Sequence, residues 1–356
     1  LIQAHLEGVL FYVRFYGELK ARSIKTVRME TQVFLPSIKK RLEYMVSKGY
    51  FSEEPVLASG DSDMLEYTNF HYLLGYCRNY HKLKKEGAIP GKPALSEVLD
   101  IVRMDTQVSS LIYNYLRQAE QALRTAWVHV FCDERSPFEY LNPDAYYSTN
   151  QNKTGETLTR DMMRHILRYR EPYVRERIEK WWKSCSRDPH TRLEHLEDWG
   201  DIEELRKKMQ RELPLWSVVD SFSMGVLSRA VSQSILVAAE ESVDIEKMML
   251  YKKTAEYMGI NHKHFEGRLK SLTTLRNRVA HGSRLWMMPT TDTSAKPKIF
   301  AKDLREADRK GMLVSFANVA LLQGNTRRQR EAWKAIKALV EQNESYRVGV
   351  GSQKIF

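Results

Sequence analysis

Cysteine is scarce in this chain of 356 residues. The three cysteines, Cys77, Cys132 and Cys185, are an odd number, and no two of them are close in sequence. They therefore provide neither a disulfide framework nor the paired ligands of a zinc ribbon. We expect a protein of a reducing cytoplasm, with no metal ion and no other cofactor.

Long hydrophobic runs are also missing. The most apolar stretch near the start, LEGVLFYVRFY, contains Glu7 and Arg14 and is too short to span a bilayer. No small-residue cleavage site follows it, which argues against a secretion signal. We therefore expect no association with a membrane.

Glycine and proline are few, with 17 and 11 residues. This composition excludes collagen-like, low-complexity and glycine-rich barrel proteins. Strict alternation of apolar and polar residues over a strand length is hard to find, whereas apolar residues recur at three- and four-residue spacing. The pattern predicts an all-α protein, with one long helix or two between Leu95 and Phe131, where Gly and Pro do not occur.

Turn-forming residues divide the chain. Pro36 and Ser37 are typical of a helix start, and Gly49 is typical of its end. A second helix is expected to follow Asp61 or Ser62 and to run through YTNFHYLLGYCRNY, until the segment GAIPGKP breaks it. The clearest linker is MMPTTDTSAKPK. The predicted organisation is an N-terminal helical extension (1–36), a main helical domain (37–286), a linker (287–300) and C-terminal helices (301–356) that pack on the same body.

Positive charge is in excess. Lys and Arg number 56 against 45 Asp and Glu, a surplus of +11 that favours an anionic partner such as nucleic acid. Arg160, Arg164 and Arg168 recur every four residues, which would align positive charge along one helix edge suited to phosphates. Acidic residues interrupt this pattern, so a solvated helix face is the alternative.

The segment LRNRVAHGSRLW contains side chains whose chemistry would suit cleavage of RNA. On a helix, Asn277 and His281 lie on one stripe, and Arg284 would continue that stripe one turn further on. Arg276 is displaced around the helix by about 140°, but its long side chain can reach the shared edge. An imidazole can transfer the proton of a ribose hydroxyl or a leaving oxygen, and a guanidinium can hold the phosphate. The spacing alone is a weak signal, because it recurs from Arg124 to His129 and from Arg160 to His165.

The wider sequence context is more specific. The run LTTLRNRVAHGSRLW resembles the signature of the Abi-like proteins, the AbiD and AbiF abortive-infection group of the HEPN superfamily, in which Leu-x-x-x-Arg-Asn-x-x-Ala-His is followed by Arg-Leu-Trp. Upstream, LPLWSVVDSFSMGVLSRA, AEQALRTAW and YTNFHYLLGYCRNY resemble other segments of that family. The similarity runs in the right order from about residue 37 to residue 286.

This resemblance implies a HEPN-type helical bundle and a role in bacterial phage defence or a toxin system. It further implies metal-independent cleavage of RNA to 2′,3′-cyclic phosphate and 5′-hydroxyl ends, with Arg276, Asn277 and His281 as catalytic residues. Arg284, Arg278, Arg160, Arg164 and Arg168 are then the predicted RNA-binding residues. The expected partners are an RNA substrate, a small antitoxin or guide RNA, and a second copy of the chain, because such ribonucleases usually pair two of these helices.

One departure from the family pattern concerns the residue after His281. The family usually has a second His there, and this chain has Gly282, which is expected to make the helix more flexible at its active end. The alternative function is therefore a catalytically weak or inactive RNA-binding or regulatory protein. Arg124 and His129 are the candidates for an internal second motif, but we expect Arg124 to pair with Glu120 and His129 to be buried and hydrogen-bonded.

Overall fold

The computed structural model describes residues 35, 37–51, 57–147, 154–185, 199–236 and 249–354. The predicted N-terminal extension (1–36) lies almost entirely outside the described residues. Within these ranges the chain forms α-helices, short 3₁₀ turns and two isolated bridges, and it contains no β-strand. The all-α prediction is confirmed. No helix in these ranges is long and apolar enough to cross a membrane.

Fourteen α-helices are present in the described part of the chain, and we number them in order. They are α1 (Ile38–Ser47), α2 (Asp61–Tyr67), α3 (Phe70–Lys85), α4 (Leu95–Glu134), α5 (Thr154–Arg168), α6 (Pro172–Cys185), α7 (Trp199–Glu212), α8 (Leu215–Val218), α9 (Met224–Gln233), α10 (Tyr251–Tyr257), α11 (Phe265–Ala280), α12 (Met312–Leu321), α13 (Thr326–Val340) and α14 (Glu344–Gly351).

Capping side chains explain where several helices begin. The Ser37 hydroxyl accepts a hydrogen bond from the amide of Lys40, as predicted for the start of α1. The second predicted helix is instead two helices. The Asn69 side chain accepts hydrogen bonds from the amides of His71 and Tyr72, so it caps α3 and interrupts the helical run after α2. The apolar spacing predicts one continuous helix from Asp61 onward, but the capping residue Asn69 divides it in two.

The 40-residue helix α4 is the axis of the bundle. It is about 60 Å long, and one stripe of its apolar side chains is buried along its whole length. Helices α3 and α9 to α14 pack against it, and α11 is enclosed by α4, α9, α10 and α12. The single long helix follows from the absence of Gly and Pro, and its central place follows from a buried stripe at three- and four-residue spacing.

The segment predicted to be a linker is packed against the protein. Pro289, Thr290 and Ser294 are buried, and the amides of Thr290 and Ser294 donate hydrogen bonds to the carbonyls of Lys310 and Arg309. Helices α12, α13 and α14 follow and pack on α4, and α12 also packs on α11. Residues 287–354 therefore share one hydrophobic core with the residues before them.

Candidate active site at the end of helix α11

The residues predicted to be catalytic lie at the carboxyl end of α11. Leu272, Leu275 and Val279 bury one face of the helix against the core. Arg276 is half-buried, Asn277 and His281 are exposed, and none of these three side chains hydrogen-bonds to a described residue. The amide of His281 donates to the carbonyl of Asn277 (3.0 Å), so the two side chains are stacked one helical turn apart. Polar side chains without a hydrogen-bond partner in the described part of the chain are thus presented to solvent by a helix whose other face is packed on the core.

Gly282 ends this helix with a defined turn. Its φ is +60°, its amide donates to the Val279 carbonyl (3.1 Å), and the amide of Ser283 donates to the Arg278 carbonyl (2.8 Å). These two hydrogen bonds form a Schellman motif, in which Gly at the left-handed position is the favoured residue. The expected flexibility at Gly282 is therefore not what the structure shows, because both hydrogen bonds fix the backbone that follows His281.

Arg284 does not continue the stripe of Asn277 and His281, because α11 ends at Ala280. Its guanidinium lies over the ring of Tyr76 (5.2 Å from Cζ to the centroid), and Nη2 contacts Sδ of Met288 (3.3 Å). The buried Nη1 finds no acceptor among the described residues, and burial lowers the pKa of the guanidinium. Arg284 is therefore held against α3 by a cation–π contact, close to the turn that follows His281.

Gly75 makes room for this guanidinium. A Cβ at position 75 would lie 2.5 Å from Nη1 of Arg284. Gly75 and Tyr76 of α3 therefore pack directly against Arg284 and Trp286, which follow α11. The two sequence motifs, Gly-Tyr and Arg-Leu-Trp, are in contact in the structure.

Substitution of two helical glycines should separate this packing role from helix propensity. Gly267 lies in α11 with open space around it, so Gly267→Ala should stabilise the protein by about 0.5–1 kcal/mol. Gly75→Ala has the same gain in helix propensity, but its Cβ displaces the Arg284 guanidinium. We therefore expect the free energy of unfolding of this variant to be unchanged or lower than that of the wild type. Urea unfolding of both variants measures this difference. Equal stabilisation by both would show that the Gly75–Arg284 contact is not maintained in solution.

Asp105 supports the site from within the core, and it was not among the residues predicted from the sequence. It lies in the middle of α4, is 4% exposed, and accepts hydrogen bonds from the amide of Leu285 (2.9 Å) and the hydroxyl of Tyr346 (2.6 Å). The hydroxyl of Tyr76 is a third donor. Burial raises the pKa of Asp105, and these hydrogen bonds oppose the rise. One carboxyl thus fixes the backbone just after the candidate active site to α3, α4 and α14.

Trp286 completes this attachment. Its ring stacks on that of Tyr76 (5.9 Å between centroids, 9° between planes), and its Nε1 donates to the carbonyl of Ser345 (2.9 Å). Gly349 of α14 lies so close to the indole that a Cβ there would overlap it. The signal for Asp105 was present in the sequence, since it occupies an otherwise apolar position between Val102 and Val108 on the buried stripe of α4.

The other predicted RNA-binding residues fall into two groups. The Arg278 guanidinium is half-buried and donates to the carbonyls of Met288 and Pro289, so it holds the segment after the site. Arg160, Arg164 and Arg168 are exposed on one face of α5, away from its buried residues. Arg164 forms an ion pair with Asp161, which also pairs with Arg229 of α9. Basic side chains from two helices therefore meet at this face.

Arg124 and His129 point to different parts of the structure. Arg124 pairs with Glu120, as expected, and donates to the carbonyl of Phe222 (2.9 Å). His129 was expected to be buried and hydrogen-bonded, but it is exposed, and its ring lies against that of Tyr257 (4.6 Å between centroids). The expectation failed because the apolar neighbours of His129 occupy the buried stripe of α4, and His129 itself does not. The two side chains do not form a second site resembling that of α11.

Comparison with known families decides the family of this chain. The sequence matches the family described as Abi-like protein over residues 63–287, which is more than half of its length. The chain belongs to the Abi-like protein family. Comparison with curated proteins and with solved structures gives no significant match.

The matched region of this Abi-like protein contains all the residues predicted to be catalytic and to bind RNA. It begins within α2 and ends directly after Trp286. Tyr346 and Ser345, which hold Asp105 and Trp286, lie beyond it. In the described part of this Abi-like chain, no three His, Cys, Asp or Glu side chains are grouped so that they could hold a metal ion.

Proposed function

We propose that this Abi-like protein is a HEPN-type endoribonuclease of an abortive-infection or toxin system. The observation that carries the proposal is the group of Arg276, Asn277 and His281, which lie at the end of a helix packed on the core and have no side-chain hydrogen bond to a described residue. Their exposure leaves these side chains accessible to a ligand, and helical spacing places Asn277 and His281 on one stripe. Its chemistry suits a ribose-phosphate, because an imidazole can transfer protons and a guanidinium can bind phosphate.

The residues have distinct roles in this proposal. His281 takes the proton of the ribose 2′-hydroxyl or gives one to the leaving 5′-oxygen, and Arg276 binds the phosphate as its charge develops. Asn277 orients either partner from the same stripe of the helix. Attack of the 2′-oxygen on phosphorus breaks the bond to the 5′-oxygen, which leaves a 2′,3′-cyclic phosphate and a 5′-hydroxyl. These residues require no metal ion for such a reaction.

Cleavage in the presence of EDTA tests the function directly. Purified protein is incubated with end-labelled single-stranded RNA, and the chemistry of the product ends is determined. We expect cleavage with EDTA present and products that carry cyclic phosphate and 5′-hydroxyl ends. A strict requirement for a divalent metal, or products with 5′-phosphate ends, would rule out the proposed mechanism.

The proposed enzyme acts as a homodimer in which two copies of α11 converge on one phosphate. Support comes from the single group of Arg, Asn and His side chains of this kind in the described residues, and from the separation of Arg124 and His129. Specific activity should therefore fall when the protein is diluted below the dissociation constant of the dimer. Analytical ultracentrifugation over the same concentrations provides the comparison. Constant specific activity of a demonstrated monomer would contradict this assembly.

The basic face of α5 is proposed to bind the RNA backbone. Changing Arg160, Arg164 and Arg168 together to Gln should weaken RNA binding and reduce the slope of log K against log salt by about 2, since each lost phosphate contact to single-stranded RNA removes about 0.7. The matched control changes three exposed lysines to Gln, two in α1 and one directly after it (Lys39, Lys40 and Lys48), which removes the same charge elsewhere. If both triple variants change the slope equally, the effect is one of net charge, and α5 is not the binding face.

The alternative function is an RNA-binding or regulatory protein without catalysis, in which a small antitoxin or guide RNA is the bound species. This alternative predicts salt-dependent RNA binding that His281→Ala does not alter, together with no cleavage by the wild-type protein.

A further inference from the structure

A polar cavity lies at the amino end of α11, opposite to the end that carries the candidate active site. Its volume is about 550 Å³, within the range of cavities that hold small ligands. It is bounded by the residues before and at the start of α11, by the segment 293–299, and by the start of α13. Because α11 has 16 residues, the two sites are separated by about 24 Å of helix.

Positive charge dominates the lining of this cavity. Five cationic side chains and one histidine contribute to it, and no Asp or Glu does; the basic residues are Lys263, His264, Arg268, Lys296, Lys298 and Arg309. None of these forms an ion pair with any residue that the structure describes. Glu266, in the first turn of α11, is the nearest acid along the chain and is not part of the lining. A concentration of unpaired cations inside a concave surface favours an anionic ligand.

Two buried polar side chains in the lining point to an anionic ligand, one because it is a cation without an acidic partner among the described residues and the other because its amide lacks an acceptor there. Arg268 is 7% exposed, and its hydrogen bonds go to two neutral acceptors, the side-chain oxygen of Asn318 (3.0 Å) and the carbonyl of Lys263 (2.6 Å). Gln329 is 2% exposed, and its amide nitrogen Nε2 has no acceptor among the described residues. Native proteins rarely leave a buried cation without an anion or a buried amide without an acceptor. An anion with several oxygens would satisfy both.

Helix termini add to the positive potential. Helix α11 begins at the cavity with His264 as its N-cap, in the left-handed region (φ +66°), and no side chain caps its first turn. Helix α13 also begins at the cavity, with Thr326 in the lining. The amino ends of helices carry partial positive charge and favour phosphate groups.

We propose that this cavity binds a phosphate group carried by a ligand of nucleotide size. The cations and the Gln329 amide contact the phosphate oxygens, and the apolar side chains of Ile260, Pro297 and Ile299 adjoin the remainder of the ligand. Two sources supply such a group: a free nucleotide, or the 5′-phosphorylated end of a short RNA. The proposal does not depend on the proposed ribonuclease activity.

Isothermal titration of the full chain tests the site. The probes are inorganic phosphate, AMP, ATP, and one trinucleotide RNA in 5′-phosphorylated and 5′-hydroxyl forms. The His281→Ala protein is used for the RNA arm so that the probe is not cut. We expect saturable binding of at least one phosphorylated probe, with weaker binding of inorganic phosphate. Tighter binding of AMP or ATP identifies a free nucleotide, and preference for 5′-phosphorylated over 5′-hydroxyl RNA identifies an RNA end.

Two variants locate the binding within the cavity. Gln329→Leu removes an amide that has no acceptor, so the free protein should melt at an equal or higher temperature while ligand affinity falls. The double variant Lys298→Gln with Arg309→Gln should weaken affinity about tenfold or more, as expected for lost charged hydrogen bonds. Lys334→Gln, an exposed lysine of α13 outside the cavity, is the control and should bind as the wild type does.

Each contrary result overturns the proposal. Absence of saturable binding of all these probes up to about 1 mM would show that the cavity has no affinity for phosphate groups. Binding that Gln329→Leu and the double variant leave unchanged would place the ligand elsewhere. Activity of the protein on RNA enters neither measurement, so failure of the proposed ribonuclease function and failure of this proposal are distinguishable.

Discussion

Replacing His281 by Ala should lower the rate of RNA cleavage about 10²- to 10⁴-fold, which is the contribution typical of a general acid or base. The fold should be unaffected, because the His281 side chain is exposed and has no hydrogen bond to a described residue. A change in the free energy of unfolding of less than about 0.5 kcal/mol is expected for a surface substitution of this kind. Cleavage is measured with labelled RNA at saturating enzyme, and stability is measured by urea unfolding.

His129→Ala is the matched control. His129 is also an exposed histidine, but it lies against Tyr257 on α10 and far along the chain from α11. We expect this variant to cleave RNA at the wild-type rate. Loss of cleavage in a folded His129→Ala protein would favour an internal second motif, and full activity of His281→Ala would remove His281 from the mechanism.

Replacing Asp105 by Ala should destabilise the protein by about 3 kcal/mol or more. The substitution leaves the hydroxyls of Tyr76 and Tyr346 and the amide of Leu285 without their acceptor in the core, and each unsatisfied donor costs about 1–3 kcal/mol. Urea unfolding monitored by circular dichroism measures the loss. Asp100→Ala is the control, since Asp100 lies on the same helix, is exposed, and pairs with Arg103 at the surface. A loss below about 1 kcal/mol for Asp105→Ala would contradict the central role of this carboxyl.

The raised pKa of Asp105 gives this contribution a pH dependence. Between its ordinary pKa of 3.8 and its raised value, the folded protein binds a proton that the unfolded chain has released. Stability from this group is therefore present below the ordinary pKa and decreases as pH rises towards the raised one. The side chain of the Asp105→Asn variant cannot titrate. As pH increases over that interval, the free energy of unfolding of the wild type should therefore fall relative to that of the variant.

Helix positions were predictable wherever apolar spacing and capping residues agreed. The single helix α4 and the start of α1 at Ser37 follow from such agreement. The interruption between α2 and α3 could not be predicted in this way, because the apolar pattern continues across it. The helix is interrupted there because the Asn69 side chain accepts hydrogen bonds from two amides. The packed course of residues 287–300 was hidden for a similar reason. Polar, proline-containing sequence is typical of a linker, whereas this segment is held by buried side chains and by hydrogen bonds to residues 15 to 20 positions away.

The placement of Arg276, Asn277 and His281 at one helix end could be predicted, whereas the residues that attach this end to the core could not. Arg276, Asn277 and His281 lie within a few positions of each other, so helical spacing alone places them on one end of α11. Asp105 and Tyr346 are separated from that helix by more than 60 residues in sequence, and their role depends on long-range packing. The prediction for Gly282 was wrong for a local reason. Its helix propensity was considered as though the helix continued, but the residue ends the helix, where Gly is favoured.

The hydrogen bond from Tyr346 to Asp105 joins two residues 241 positions apart, and it has a consequence for synthesis of the protein. The packing of Leu285 and Trp286 behind that turn is complete only once α14 has left the ribosome, because Asp105 and Trp286 both hydrogen-bond to residues of that helix. Nascent chains that already contain the entire Arg-Asn-x-x-x-His segment therefore still lack the contacts that attach the following residues to the core.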